Sequence, residues 1–117
     1  MCIVLIAKNT MEDFPLIILA NRDEYFERET QSLDLWRKNT EILAGMDLRG
    51  GGTWLGVTNS GQVAALTNLP SIEKTPEKTK SRGLLIKNFF TKNITPYDYT
   101  NFLKESKNEF LGFNLVI

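Results

Sequence analysis

Histidine is absent from this 117-residue chain, and cysteine occurs once, at position 2. Without histidine, no Cys-His or Ser-His-Asp arrangement can be assembled from the chain's own residues. The same absence, with a lone thiol, removes the usual zinc ligand sets and any internal disulfide, so no metal and no cofactor is expected. Charge of one sign is missing too. Fourteen Lys and Arg stand against fourteen Asp and Glu, so no overall field draws the chain to nucleic acid or to an anionic membrane. Long hydrophobic runs are also lacking. The apolar stretch 2–7 is too short for a membrane span and has neither the basic leader nor the small-residue cleavage site of a signal peptide. The expectation is a soluble cytoplasmic protein without an integral membrane segment, long enough at this size to bury one core.

Cys2 follows the initiator methionine directly. Removal of that one residue would leave a thiol and a free α-amine on the same residue. The amine titrates near pH ~7.7 to 8 and can take the thiol proton at neutral pH, which makes a nucleophile and its base in one residue. A free cysteine at the start of an apolar strand is also ordinary core filling, so position 2 alone leaves both readings open.

Two short runs, 2–7 and 16–20, are rich in Ile, Leu and Val and have the length of strands buried on both faces. The polar stretch 8–15 between them predicts a loop and an antiparallel hairpin. Folding about that loop sets Cys2 opposite Asn21, Arg22 or Asp23. Strand alternation then puts Asn21 and Asp23 on one face and Arg22 on the other, so Arg22 turns away if Cys2 faces the pair. The charged stretch 24–41 predicts irregular chain, followed by a short apolar run at Ile42, Leu43 and Ala44. Strands over 53–58 and 62–68, joined by Asn59, Ser60 and Gly61, form a second hairpin that brings Thr53 near Asn68. Residues 70–80, with Pro70, Pro76 and several lysines, predict a surface loop.

Two helices follow. In the first, from about Ser81, Leu85 with Phe89 and Ile86 with Phe90 recur at four-residue spacing and would cover a sheet face. The second opens with Thr95 as N-cap, Pro96 at the first helical position and Asp98 at the third, and carries Tyr99, Phe102 and Leu103 as its apolar stripe. Residues 112–117 return to strand and stop while still apolar, which suggests the N-terminal part of a longer fold. The order of elements predicts an α+β domain, with helices packed on the faces of antiparallel sheets.

Asn21-Arg22-Asp23-Glu24 follows the second apolar strand, and the chain begins Met-Cys. With Glu41 to Gly45, Gly51 to Gly56, Ala65 to Asn68, Ser81-Arg82-Gly83 and Gly112 to Leu115, these residues make the chain resemble the NRDE family, also called the transport and Golgi organisation protein 2 family. Members are about twice this length, which fits the abrupt end. The family in turn resembles N-terminal-nucleophile hydrolases of the penicillin V acylase and bile salt hydrolase group, whose fold is an αββα sandwich. That likeness implies Cys2 as nucleophile with its own amine as base, Asp23 holding the amine, Asn21 beside it and Asn68 binding the oxyanion. A carboxylate suits an ammonium, and a carboxamide N–H stabilises negative charge without titrating. The hydrolases have arginine where this chain has Ala20, so Arg22 is not matched to that role. They also use an asparagine and an arginine from a C-terminal half that has no counterpart here.

Blander readings stand beside these. Arg22, Asp23 and Glu24 could be a solvated strand end with weak ion pairs. Gly50 to Gly52 lack the following lysine of a phosphate cradle. Trp54 reads as core or pocket wall, and Arg82 as an exposed arginine or a contact for an anionic group. Three functions remain: an N-terminal-cysteine amidohydrolase acting on a small linear amide, a non-catalytic carrier of a hydrophobic ligand such as haem or acyl-CoA, and a purely structural interaction module, for which nothing in the sequence argues specifically.

Overall fold

Short β-rich runs fold this chain back on itself several times before either helix begins. The structure, a computed structural model, describes residues 2–36, 39–69, 79–92, 94–106 and 109–117. Strand β1 (Val4–Met11) pairs antiparallel with β2 (Phe14–Ala20) as a separate two-stranded sheet. A second sheet holds β3 (Thr30–Trp36), β4 (Asn39–Asp47), β5 (Leu55–Thr58), β6 (Val63–Asn68) and β7 (Phe113–Val116) in that order, each pair antiparallel. Helices α1 (Gly83–Lys92) and α2 (Pro96–Glu105) connect β6 to β7. This is the expected α+β arrangement.

The helices lie on one face of the five-stranded sheet. Ile42, Ala44, Ala64 and Leu66 point to that face and share a buried cluster with Leu85, Ile86, Phe89 and Phe90 of α1. Each of these large side chains contributes about 1.5 to 3 kcal/mol by leaving water. A Cβ at Gly56 would stand 2.9 Å from a ring carbon of Phe90, so the missing side chain is what lets α1 lie close over β5. Helix α2 begins as its sequence dictates, with the Thr95 hydroxyl accepting from the Asp98 amide at 3.1 Å. It is tied to α1 by Tyr99, which is fully buried, packs its ring tilted against Phe89 at 5.3 Å between centroids and donates its hydroxyl to the Leu85 carbonyl at 2.6 Å. The turn of residues 59–61 forms as expected, with Gly61 at φ +85°.

The hairpin covers the other face. Val4 and Ile6 line one cavity with Ala65, Thr67 and Val116, while Leu16 and Ile18 line another with Leu43, Leu55, Val57 and Val63. The register pairs Val4 with Ala20, Ile6 with Ile18 and Lys8 with Leu16, so these residues share the face turned toward the sheet, although Ile6 and Leu16 on it are themselves 48% and 43% exposed. The opposite side is open: Ile3 is 55% exposed, Leu5 61% and Leu19 61%. The expectation that both strands are buried on both faces is therefore corrected. One layer packs against the hairpin, and an apolar run signals burial without saying whether a second layer is present.

Two other expectations change. Residues 8–15 are mostly strand around a turn at Glu12 and Asp13, because ladder hydrogen bonds need no apolar side chains where the ribbon faces water. Asn9 sits at φ 55° where the register shifts, a conformation asparagine tolerates. Residues 24–41 are not irregular throughout, since β3 runs along β4 as an edge strand. Only Trp36 of β3 is buried, its indole donating to the Ala44 carbonyl at 3.1 Å, so the strand carries little hydrophobic alternation to announce it. Most of the predicted 70–80 loop lies outside the described residues. Among the described residues no helix is long and apolar enough to cross a membrane.

Candidate functional site

The ladder of the first hairpin runs on past its last paired residues and fixes the start of the chain. The Asn21 amide donates to the Ile3 carbonyl at 3.1 Å, and the Ile3 amide donates to Asn21 Oδ1 at 2.6 Å. Asn21 thus clamps the peptide immediately after Cys2 with both its main chain and its side chain. One step further, the Asp23 amide donates to Cys2 Sγ at 3.3 Å, and the thiol faces the Asp23 carbonyl at 3.8 Å. The expected closeness of Cys2 to Asn21 and Asp23 is present, but Asp23 meets the sulfur through its main chain.

Cys2 lines a cavity of about 640 Å³. Arg22, Trp54, Asn68, Ser81 and Arg82 line it with the thiol, whereas Asn21 and Asp23 do not. The alternation argument that turned Arg22 away is corrected here. It requires extended strand geometry, and β2 ends at Ala20, so the two-residue period no longer applies at Arg22. The Arg22 guanidinium lies over the Trp54 ring, 5.2 Å from its centroid, and its Nη2 is buried with no hydrogen-bond partner among the described residues. Asn68 reaches the cavity from the end of β6, where it is paired with Phe113 of β7. Thr53 and Asn68 both line the cavity, as the predicted second hairpin implies.

The far wall is built by the loop after β4. Asp47 Oδ1 accepts from the Arg49 and Gly50 amides at 3.1 Å each, and the Gly51 amide returns to the Asp47 carbonyl at 2.7 Å. This tight loop needs Gly51 at φ +66°, where a side chain would be strained. It also presses against the start of α1: the Thr53 amide donates to the Gly83 carbonyl, and a Cβ at Gly52 would overlap the Gly83 backbone. The glycines therefore serve a close approach of loop to helix. Asp47 Oδ2 takes Arg28 Nε at 3.0 Å and Nη2 at 2.6 Å, while Arg28 Nη1 reaches Glu24 Oε2 at 2.9 Å.

This ion network shapes the electrostatics. Burial alone would push the Asp47 carboxyl up, but the Arg28 guanidinium and the Gly50 and Arg49 amides together hold it below its usual range. Arg28 is raised in turn, chiefly by its hydrogen bond to Asp47. Arg82 is lowered, first by desolvation and then by the nearby charge of Arg28. Its Nη1 donates to the Gly112 carbonyl at 3.0 Å. Sequence reasoning did not find the Arg28–Asp47 pair, which joins residues 19 apart with no motif between them. Among the described residues no cluster of three or more His, Cys, Asp or Glu could hold a metal ion.

A second cavity, of about 530 Å³ and mostly apolar, lies between the hairpin and the sheet. Trp54 lines it as well as the first cavity and so forms a wall common to both.

Comparison with known proteins places this architecture. The sequence model of the family described as Transport and Golgi organisation 2 matches residues 1–117. The mouse Transport and Golgi organization 2 homolog is 35% identical over 106 residues, covering 88% of this chain and 38% of the mouse protein. The human Transport and Golgi organization protein 2 homolog is 36% identical over 108 residues, with the same two coverages. The Drosophila melanogaster Transport and Golgi organization protein 2 is 32% identical over 112 residues, covering 88% of this chain and 39% of the fly protein. The matched region is thus well under half the length of these relatives, and across its whole extent the chain belongs to the Transport and Golgi organisation 2 family.

Proposed function

We propose that this chain carries the nucleophile end of an N-terminal-cysteine amidohydrolase acting on a small linear amide in the cytoplasm. The observation that supports this most is the Cys2 thiol, held against the Asp23 main chain at the wall of a cavity that Asn68 also lines. Once Met1 is removed, the α-amine of Cys2 takes the thiol proton and the sulfur attacks the amide carbon. The Asn68 carboxamide is proposed to donate to the oxygen that becomes negative. The C–N bond then breaks, and the leaving amine takes the proton held by the α-amine. Water, deprotonated by the same amine, hydrolyses the thioester and restores the thiol. Asn21 positions the nucleophile through its clamp on Ile3, and the Asp23 carboxylate is assigned to the ammonium.

Intact mass of the full-length protein from its native host is the deciding measurement. Loss of Met1 is expected, together with thiol labelling that slows at least tenfold when the N-terminus is blocked or Asp23 is replaced by alanine. Retained Met1 would lock the Cys2 amine in a peptide bond and overturn the reading. A second reading, a non-catalytic carrier of a hydrophobic ligand such as haem or acyl-CoA, is favoured by the apolar cavity beneath the hairpin. The relatives' names, which speak of transport, also suit it. Saturable binding of haem or an acyl-CoA, weakened by Val63→Arg on the cavity wall, is the expected result. Titrations without saturation would remove it.

A further inference from the structure

We propose that the cavity beside Cys2 recognises an anionic group, a carboxylate or a phosphate, through Arg22 and Arg82. This rests on the proposed amidohydrolase reading for its placement beside the nucleophile, and it narrows the substrate to an amide that also carries negative charge.

The charge inventory of the cavity leads there. Five cationic side chains line it, Arg22, Arg28, Arg49, Lys80 and Arg82, against two carboxylates, Glu24 and Asp47. Both carboxylates are engaged by Arg28, and Lys80 is paired outward with Glu109 at 2.8 Å. Arg22, Arg49 and Arg82 are left with no carboxylate within ion-pair distance among the described residues. Arg49 is exposed, whereas Arg22 and Arg82 are half-buried.

Arg22 is the sharper case. Its Nη2 is sealed from water without a partner, which costs a charged donor more than a neutral one. The contact with the Trp54 ring restrains the side chain, so less rotamer freedom remains to be lost when a ligand arrives. Arg82 lines the same cavity, anchored by its bond to the Gly112 carbonyl. Desolvation and the charge of Arg28 disfavour its cation, while the Glu24 carboxylate and then Cys2 act in the other direction. The amino end of α1 adds to the same field: Gly83 and Leu84 line the cavity, and the first turn of the helix has no acidic residue. Two half-buried guanidinium groups and a helix amino end lining one cavity are complementary to a compact oxyanion. The thiol lining the same cavity would then meet an amide attached to that anion.

Binding to the full-length Cys2→Ala protein, measured by calorimetry, separates this proposal from turnover. The probes are N-acetylglycine, its neutral counterpart N-acetylglycinamide, and inorganic phosphate. Saturable binding of N-acetylglycine, of phosphate or of both, with the neutral amide at least tenfold weaker, is expected. Which of the two anions binds identifies the source of the charge. Arg22→Gln or Arg82→Gln should weaken the anion at least tenfold, and Arg22→Lys should recover only part of the loss, since an ammonium cannot reproduce the fork. Equal affinity for the charged and neutral amides, or no binding of either anion, overturns the proposal without any arginine variant having to fold. Anion binding by a protein that retains Met1 would leave this site standing while removing the amidohydrolase reading.

Discussion

Asp47 holds two parts of the cavity wall with one carboxylate. Oδ1 closes the glycine loop and Oδ2 takes Arg28, so Asp47→Asn would keep an acceptor for the Arg49 and Gly50 amides while losing the ion pair. The expected cost is about 2 to 3 kcal/mol in urea unfolding, short of a fully buried pair because Arg28 keeps some contact with water. The folded pKa of Asp47 lies below its ordinary 3.8. Its contribution is therefore complete above that value and disappears as pH falls through the folded pKa. The gap between wild type and Asp47→Asn should accordingly be full at pH 6 and shrink on acidification below pH ~4. A gap that widened with acid would reverse the sign and remove the ion pair as its cause. Gly52→Ala acts on the same wall by a different route. Its Cβ would meet Gly83 backbone, which cannot swing aside as a side chain can, so thermal stability should fall by about 1 to 3 kcal/mol.

Helix α2 was readable from its first residues, because its start signal is local. Thr95, Pro96 and Asp98 meet the capping requirements within four positions, and the bond from the Asp98 amide to Thr95 follows. Thr95→Ala should cost about 1 kcal/mol, read as a lower melting temperature with an unchanged fold. What the helix does for the molecule depends on Tyr99, whose burial pushes its phenol up to about 12 from an ordinary 10.0. The folded state holds that proton more tightly than the unfolded one. Its stabilising share is intact below pH 10 and is lost as pH rises from there through about 12. Tyr99→Phe should cost about 1 to 2 kcal/mol at neutral pH by deleting the bond to Leu85. It should also lack the part of the alkaline decline that Tyr99 causes. An identical decline in both proteins would show that another group is responsible. Strand β3 gives the contrary lesson, since an edge strand with one buried residue leaves almost no pattern in the sequence to read.

Across the whole molecule, cohesion is uneven. The five-stranded sheet shares its core with α1 and α2, whereas the β1–β2 ribbon is only two strands wide and leaves Leu5 and Leu19 open on its outer side. Two-stranded ribbons are marginal without packing on both sides, so amides of β1 and β2 should exchange with solvent faster than those of β5 and β6 in this chain. Equal protection would mean that the ribbon unfolds only with the sheet. The ribbon also carries Cys2 to the cavity, so the geometry of the thiol depends on the least supported layer. By itself the sequence determined the first hairpin, the turn at Asn59 to Gly61, both helices and the nearness of Cys2 to residues 21–23. These depend on periodicity, turn chemistry and capping among residues close along the chain. Only the tertiary structure decided that Arg22 faces the cavity, that Arg28 joins Asp47, and that Arg82 lines the same cavity as Cys2. Those relations come from where a strand ends and how layers stack. No local pattern encodes them, because the free energy that fixes them comes from contacts between residues far apart in the chain.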